Sequence, residues 1–262
     1  MYREQRLEKI LELLDERGNL SVKEMVDALG VSKDTVRRDF DCLSQRNLAQ
    51  RTHGGILPVK NTTVLGFQER QKGLTEDKKK MADLALSFVK DQSLLFFDVS
   101  TLMLEVSQKL DKSVTVYSHS LDNALVLSGK EGVDFHLLGG KFYSKNRFYY
   151  SLHEAQFLQH LQFDIAFFGA ASLSQGLVSF EDEEDVAVKQ LAMQAARTKI
   201  LIAEVDKYEK HSKYILGKIE DFDYWITDKK PEPDLVEALK DKVIILYDGK
   251  ESNYELYSFD YQ

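Results

Sequence analysis

Cysteine, proline and tryptophan are all scarce: 262 residues contain one cysteine, three prolines and one tryptophan. The lone Cys42 excludes an intrachain disulfide and every zinc site of the multi-cysteine kind. No apolar run approaches the ~18 residues of a membrane span, and the opening MYREQRLEKI does not read as a signal peptide. The expectation is a soluble, cytoplasmic chain with no membrane partner. Internal repeats and low-complexity tracts are also missing. So is a surplus of positive charge, since the formal net charge is −8. That balance is uneven: residues 1 to 60 hold 11 Lys+Arg against 10 Asp+Glu, and the remainder 24 against 33. Contact with a polyanion is therefore expected in the first sixty residues, and some other task in the rest.

In those sixty residues Leu7, Ile10, Leu11 and Leu14 recur at helical spacing, and RGN at 17 to 19 ends the run. Ser21 can cap a second helix carrying Val22, Met25, Val26 and Leu29, with Gly30 as its stop. After GVS, Ser32 can cap a third, in which Val36, Phe40 and Leu43 share the buried face. Three short helices with a glycine turn before the last describe a helix-turn-helix. The outward face of the third carries Lys33, Thr35, Arg37, Arg38 and Asp41. Arginine grips guanine or phosphate with paired donors, and threonine can meet a thymine methyl. In NLAQRTHGGILPV, two short extended runs flank His53, Gly54 and Gly55, which reads as a hairpin wing whose glycines let the tip approach a sugar-phosphate backbone. Arg51 and His53 are its candidate contacts.

VSKDTVRRDFDCL followed by RTHGG resembles the winged helix-turn-helix of the DeoR family of bacterial transcription regulators. On that resemblance Thr35, Arg37 and Arg38 are recognition-helix contacts, and Asp39 orients its neighbours. The implied partner is double-stranded operator DNA, bound by a homodimer or tetramer.

Residues 1–58 are thus read as the DNA-binding domain, 59–75 as a linker and 76–262 as a larger α/β domain. Within it, apolar runs at 94–97, 114–117, 135–138, 163–168, 200–203, 223–227 and 243–247 are mostly separated by helical stretches, the pattern of a mainly parallel sheet. Ligands of open α/β sheets collect beyond the carboxyl ends of strands. The segments HLLGGKF, FDIAFFGA, EDEEDVAVKQLAMQAA and ILIAEVDKYEK resemble, in order and spacing, the effector domain of the same family. That resemblance implies a fold related to sugar-phosphate isomerases and a small effector, a phosphorylated sugar in many members. It places Asp98, Ser100, Thr101, Ser118, Ser120, Gly139, Gly140, Gly169, Lys189 and Lys207 around the effector. No cofactor, metal or catalytic residue is implied. The acids EDEED, 181–185, are read as a solvated run favouring the N-terminus of the next helix.

The chain departs from the family pattern at this site. Asp-x-Gly-Thr-Thr becomes Asp98, Val99, Ser100, Thr101, Leu102, and Thr-Asn-Ser becomes Ser118, His119, Ser120. Loss of glycine from a phosphate turn costs backbone freedom, and Leu102 removes a donor worth about 1 kcal/mol. Three readings are open. The first is a repressor of a carbohydrate uptake or catabolic operon under effector control. The second is a regulator whose altered pocket does not take sugar phosphate. The third is a sugar-phosphate isomerase using Asp98 or Glu105 as base.

Overall fold

The computed structural model describes residues 2–46, 48–58 and 75–247, and the chain divides into two units, Met1–Asn61 and Thr62–Gln262. The linker expected at 59–75 lies outside the described residues except for Thr75.

In the first unit, α1 (Arg3–Arg17) is followed by β1 (Leu20–Ser21), α2 (Val22–Leu29), α3 (Lys33–Gln45), β2 (Ala49–Arg51) and β3 (Gly55–Pro58). The caps lie where the sequence places them. The Ser21 hydroxyl accepts from Glu24 N at 3.2 Å while Glu24 returns a carboxylate to Ser21 N at 2.8 Å. Ser32 accepts from Thr35 N at 3.2 Å. Each bond satisfies an amide that the helix itself leaves open. Leu7, Ile10, Leu14, Met25, Val36, Phe40 and Leu43 form one core. The antiparallel order β1-β3-β2 closes beneath it as the wing.

The second unit is doubly wound. Its strands are β4 (Leu94–Phe97), β5 (Val114–Ser118), β6 (Val133–Leu137), β7 (Lys141–Tyr143), β8 (Phe148–Tyr150), β9 (Phe163–Phe168), β10 (Leu177–Phe180), β11 (Ala196–Ile202), β12 (Tyr214–Lys218), β13 (Tyr224–Thr227) and β14 (Ile244–Tyr247). Its helices are α4 (Glu76–Ser87), α5 (Thr101–Lys109), α6 (Leu121–Leu127), α7 (Leu152–Phe157), α8 (Glu183–Gln194) and α9 (Pro233–Leu239). Seven strands pair in the order β14-β13-β11-β9-β4-β5-β6, and every pairing in that sheet is parallel. Continuous apolar strands are what a sheet covered on both faces requires. Alternate residues do go to opposite sides: Leu95, Phe97, Ile200 and Ile202 pack with Met81, Met103 and Leu127, whereas Phe96, Phe168, Leu201 and Trp225 pack with Ala155, Val186 and Leu239.

Two antiparallel pairs are not announced by the apolar runs. They are the β7–β8 hairpin and the pairing of β10 with β12. The helix expected over 151–160 is shorter, α7 being followed by a 3-10 turn at Leu158–His160. Strand order reverses between β4 and β9, so the crevice at their carboxyl ends is the topological switch point. No described helix is long and apolar enough to cross a membrane.

Candidate functional site

In the first unit, α3 is held from behind and bare in front. Asp39 faces the core with a side chain 2% exposed, where it accepts Arg6 Nε at 2.7 Å and Arg6 Nη2 at 3.1 Å. This fork fixes α3 against α1. Lys33, Arg37 and Arg38 are exposed, and neither arginine has an ion pair or hydrogen bond among the described residues. Thr35 is half-buried, with its hydroxyl 2.9 Å from that of Ser32, so part of its hydrogen-bonding capacity goes to the cap.

The wing is organised around Arg51. Its guanidinium donates to Asp41 Oδ1 at 2.7 Å and to the carbonyl of Gly55 at 2.9 Å, and it lies 5.6 Å from the centre of the Phe40 ring. Expected as a groove or phosphate contact, Arg51 also ties the wing to the recognition helix. His53 and Gly54 are exposed at the turn. Gly55 is buried for a different reason from the one its motif implies. A Cβ there would stand 2.0 Å from the carbonyl oxygen of Leu20, so glycine is required by the close pairing of β1 with β3.

At the switch point of the second unit, four ionisable side chains meet out of water. Lys189 is fully buried. Its Nζ lies 2.9 Å from Asp98 Oδ1, 2.6 Å from Asp185 Oδ2 and 3.4 Å from the centre of the Phe180 ring. Asp185 sits one helical turn before it, at i and i+4 on α8. His119 Nε2 is 2.7 Å from Asp185 Oδ1 and donates to it, while Nδ1 is buried with no partner among the described residues. Burial opposes ionisation of Asp185, but the Lys189 charge and the His119 hydrogen bond outweigh it and hold the carboxyl below its ordinary value. Asp98 also accepts from Gly169 N at 2.7 Å and Val99 N at 2.5 Å, which joins the ends of β4 and β9.

The metal-ligating atoms of Asp98, His119 and Asp185 lie within 4.8 Å of one another, the one such group among the described residues. The Lys189 ammonium stands between the two carboxylates and supplies a cation there.

The remaining expected residues divide. Ser100 caps α5 by accepting from Met103 N at 3.0 Å, and Thr101 opens that helix half-buried. Ser118 and Ser120 are buried and committed to Asn123, whose Nδ2 donates to Ser118 Oγ at 3.1 Å and whose N donates to Ser120 Oγ at 3.2 Å. Gly139 borders open space. Gly140, at φ +122, would place a Cβ 2.2 Å from Tyr150 O, so it serves the packing of the β7–β8 hairpin. Lys207 pairs with Glu204 at 4.0 Å.

The acids at 181–185 are not the solvated run that the sequence implies. Glu184 accepts from Tyr143 OH at 2.9 Å, Asp182 from Asn146 Nδ2 at 2.7 Å and Glu181 from Ser212 Oγ at 2.5 Å. Sequence reasoning also missed the roles of His119 and Asn123. Only the departure from Thr-Asn-Ser marked the first.

Beside the cluster lies a cavity of about 20 Å³, lined by Val99, Ser100, Asn146, Phe180, Glu181 and Asp185 among others. A larger groove, about 730 Å³, is elsewhere, at the amino ends of β11 and β13 around Lys199, Glu220, Asp223 and Lys242. There Lys242 pairs with Glu220 at 2.7 Å. The smaller cavity is the functional candidate, because only there do buried ionisable groups converge at a switch point.

Glu204 gives this unit an acid-sensitive limb. Burial raises its pKa, but Lys207 and Lys78, the latter 3.1 Å away, lower it further, to about 2 from 4.5. A carboxylate with a depressed folded-state pKa contributes stability that is complete above its unfolded value and disappears as pH falls through the folded one. The expected loss between about pH 4.5 and pH 2 is at most about 3 kcal/mol. Asp185, also held low, adds in the same direction. Urea unfolding followed by Trp225 fluorescence checks this. A Glu204→Gln chain with an equally steep acid limb would refute the assignment.

Residues 6–62 match the family model described as DeoR-like helix-turn-helix domain, and residues 74–229 the one described as DeoR C terminal sensor domain. The HTH-type transcriptional repressor GlcR of Bacillus subtilis is 34% identical over 233 residues, 88% of this chain and 90% of that protein. The lactose phosphotransferase system repressor of Lactococcus lactis is 29% identical over 252 residues, covering 94% and 99%. The deoxyribose operon repressor of Escherichia coli is 29% identical over 252 residues, covering 94% and 98%.

Proposed function

The chain belongs to the DeoR family of transcriptional regulators, and we propose that it represses a carbohydrate uptake or catabolic operon under the control of a small carbohydrate effector. One observation carries the DNA half of this reading. The face of α3 offers Arg37 and Arg38 without intramolecular partners among the described residues, while Asp39 and Arg51 are spent on holding that helix and the wing in place. A rigid mount with uncommitted guanidinium groups can read base edges and phosphates. Lys33, Thr35 and His53 complete the contact surface, with the wing backbone at Gly54. A single recognition helix reads only a few base pairs, so two copies are expected on half-sites ~34 Å apart or a multiple of that.

The test is selection from random duplex DNA at moderate salt; a protein that enriches no sequence sinks the proposal. With the selected operator in hand, Arg37→Ala and Arg38→Ala are each expected to weaken binding by ~1–3 kcal/mol.

The effector half rests on the buried cluster at the switch point: Ser100 and Asp185 line the small cavity, Lys189 joins Asp185 to Asp98, and we read Thr101, Ser118, Ser120, Gly139, Gly140, Gly169 and Lys207 as further effector positions. An effector acts by favouring an arrangement of the two copies that misplaces their helices. Thermal-shift measurement against phosphorylated and free sugars tests it, since a ligand at 100-fold its Kd stabilises by ~2.7 kcal/mol. We read the unit as a sensor and not as an isomerase. Asp98 is saturated by Lys189 and two backbone amides, and Glu105 sits against Lys109 at 3.5 Å, so neither is poised as a base.

A further inference from the structure

The cavity read as the effector site is too small to hold one. Its free volume of about 20 Å³ holds a water or two, whereas small-molecule sites run to ~300–1,000 Å³. The walls are not equally fixed. Asp185 is pinned by Lys189 and His119, Ser100 by its cap on α5, and Phe180 by burial at the end of β10. Asn146 comes from the turn between β7 and β8.

That hairpin has a firm base. Phe148 is fully buried against Val99 and Leu104, Tyr149 N donates to His119 O at 2.8 Å, and Arg147 forks onto Asp122 at 2.8 and 2.9 Å. Its tip is fastened differently, by polar contacts to the start of α8: Tyr143 OH to Glu184, Asn146 Nδ2 to Asp182, and Lys145 Nζ to Glu181 at 3.7 Å. These are ordinary hydrogen bonds and a partly exposed ion pair, the class of contact that opens without unfolding a sheet. Burial, and then the Glu184 hydrogen bond, push the Tyr143 phenol above its ordinary value, which keeps the donor protonated.

We infer that the β7–β8 hairpin is a strap whose closed form excludes the effector, so that binding requires its tip to lift from Glu181, Asp182 and Glu184. The inference rests on the effector reading of this site. Apparent affinity is then the intrinsic affinity reduced by the fraction of molecules that stand open. Loosening the strap tightens binding, whereas tip residues that were ligand contacts would weaken it on removal.

The experiment compares the full chain with its Tyr143→Phe/Asn146→Ala form. Hydrogen exchange is expected to accelerate about tenfold or more across amides 143–146 and to stay unchanged in β8, β4, β9 and β11. Glucose 6-phosphate, fructose 6-phosphate, glycerol 3-phosphate and their unphosphorylated counterparts are then titrated by calorimetry. Any that binds the wild-type chain is expected to bind the variant about three- to tenfold more tightly, through faster association. A lock, Asn146→Cys/Asp182→Cys in a Cys42→Ser background, is expected to lose that binding when oxidised and regain it on reduction. Unchanged exchange in 143–146, weaker binding by the loosened form, or full binding by the oxidised lock overturns the strap. If no compound of the panel binds either protein, the effector reading fails, and the exchange result alone decides the strap.

Discussion

Replacing Lys189 by methionine is expected to destabilise the second unit by about 3–5 kcal/mol, the range for removing one partner of a buried ion pair. Methionine nearly matches the volume and keeps the contact with Phe180, so the loss is electrostatic. Asp98 and Asp185, both within 2.9 Å of the ammonium in the native chain, are left facing each other out of water. Two carboxylates so placed cannot both stay ionised, and one takes up a proton. The pH dependence should therefore reverse. The native unit loses stability toward acid, whereas the Lys189→Met unit regains part of its deficit there. Trp225 is the sole tryptophan and is fully buried in this unit, so its fluorescence tracks the unfolding without labelling. Adding Asp98→Asn removes one of the opposed charges and is expected to recover a measurable share, giving a double-mutant cycle. A Lys189→Met chain with an unchanged urea midpoint would show that the ammonium is not the cluster's counter-charge.

Asp39→Ala is expected to cost the first unit about 3–5 kcal/mol on the same principle, because it removes the buried carboxylate onto which the Arg6 side chain, 12% exposed, forks. The consequence reaches function through geometry. Asp39 is not on the DNA-facing side of α3, yet its fork with Arg6 couples that helix to α1 across 33 residues of sequence. Operator affinity should fall more than for Arg37→Ala or Arg38→Ala, and the loss should track the loss of helical structure seen by circular dichroism. Asp39→Asn keeps one acceptor and should fall between. If Asp39→Ala folds as firmly as the native chain and binds DNA as well, the fork is ornamental and the recognition helix is held by something else.

The two halves were unequally legible. In the first unit every helix announces itself by one apolar face at i, i+3, i+4, and the second and third by a serine cap as well, because short helices in a small domain depend on local rules. Arg51 escaped, since an exposed-looking cation beside a glycine turn gives no sign that Asp41 and a Gly55 carbonyl will claim it. In the second unit the seven strands of the parallel sheet could be read as apolar runs. The β7–β8 hairpin could not, because Lys141, Phe142 and Tyr149 carry no period that separates a two-stranded flap from a loop. The acids at 181–185 look like a solvated face in one dimension and become the fastening of that flap in three.

By itself the sequence determined the helix-turn-helix with its wing, the parallel order implied by alternating strands and helices, and the family to which both halves belong. All three come from periodicity, caps and motif spacing, which are properties of neighbours along the chain. Tertiary structure alone decided that Asp98 meets Lys189 across 91 residues and that His119 meets Asp185 across 66. It also decided that a hairpin closes over them. Those contacts depend on where the sheet reverses its strand order, and a reversal of order leaves no trace in local composition.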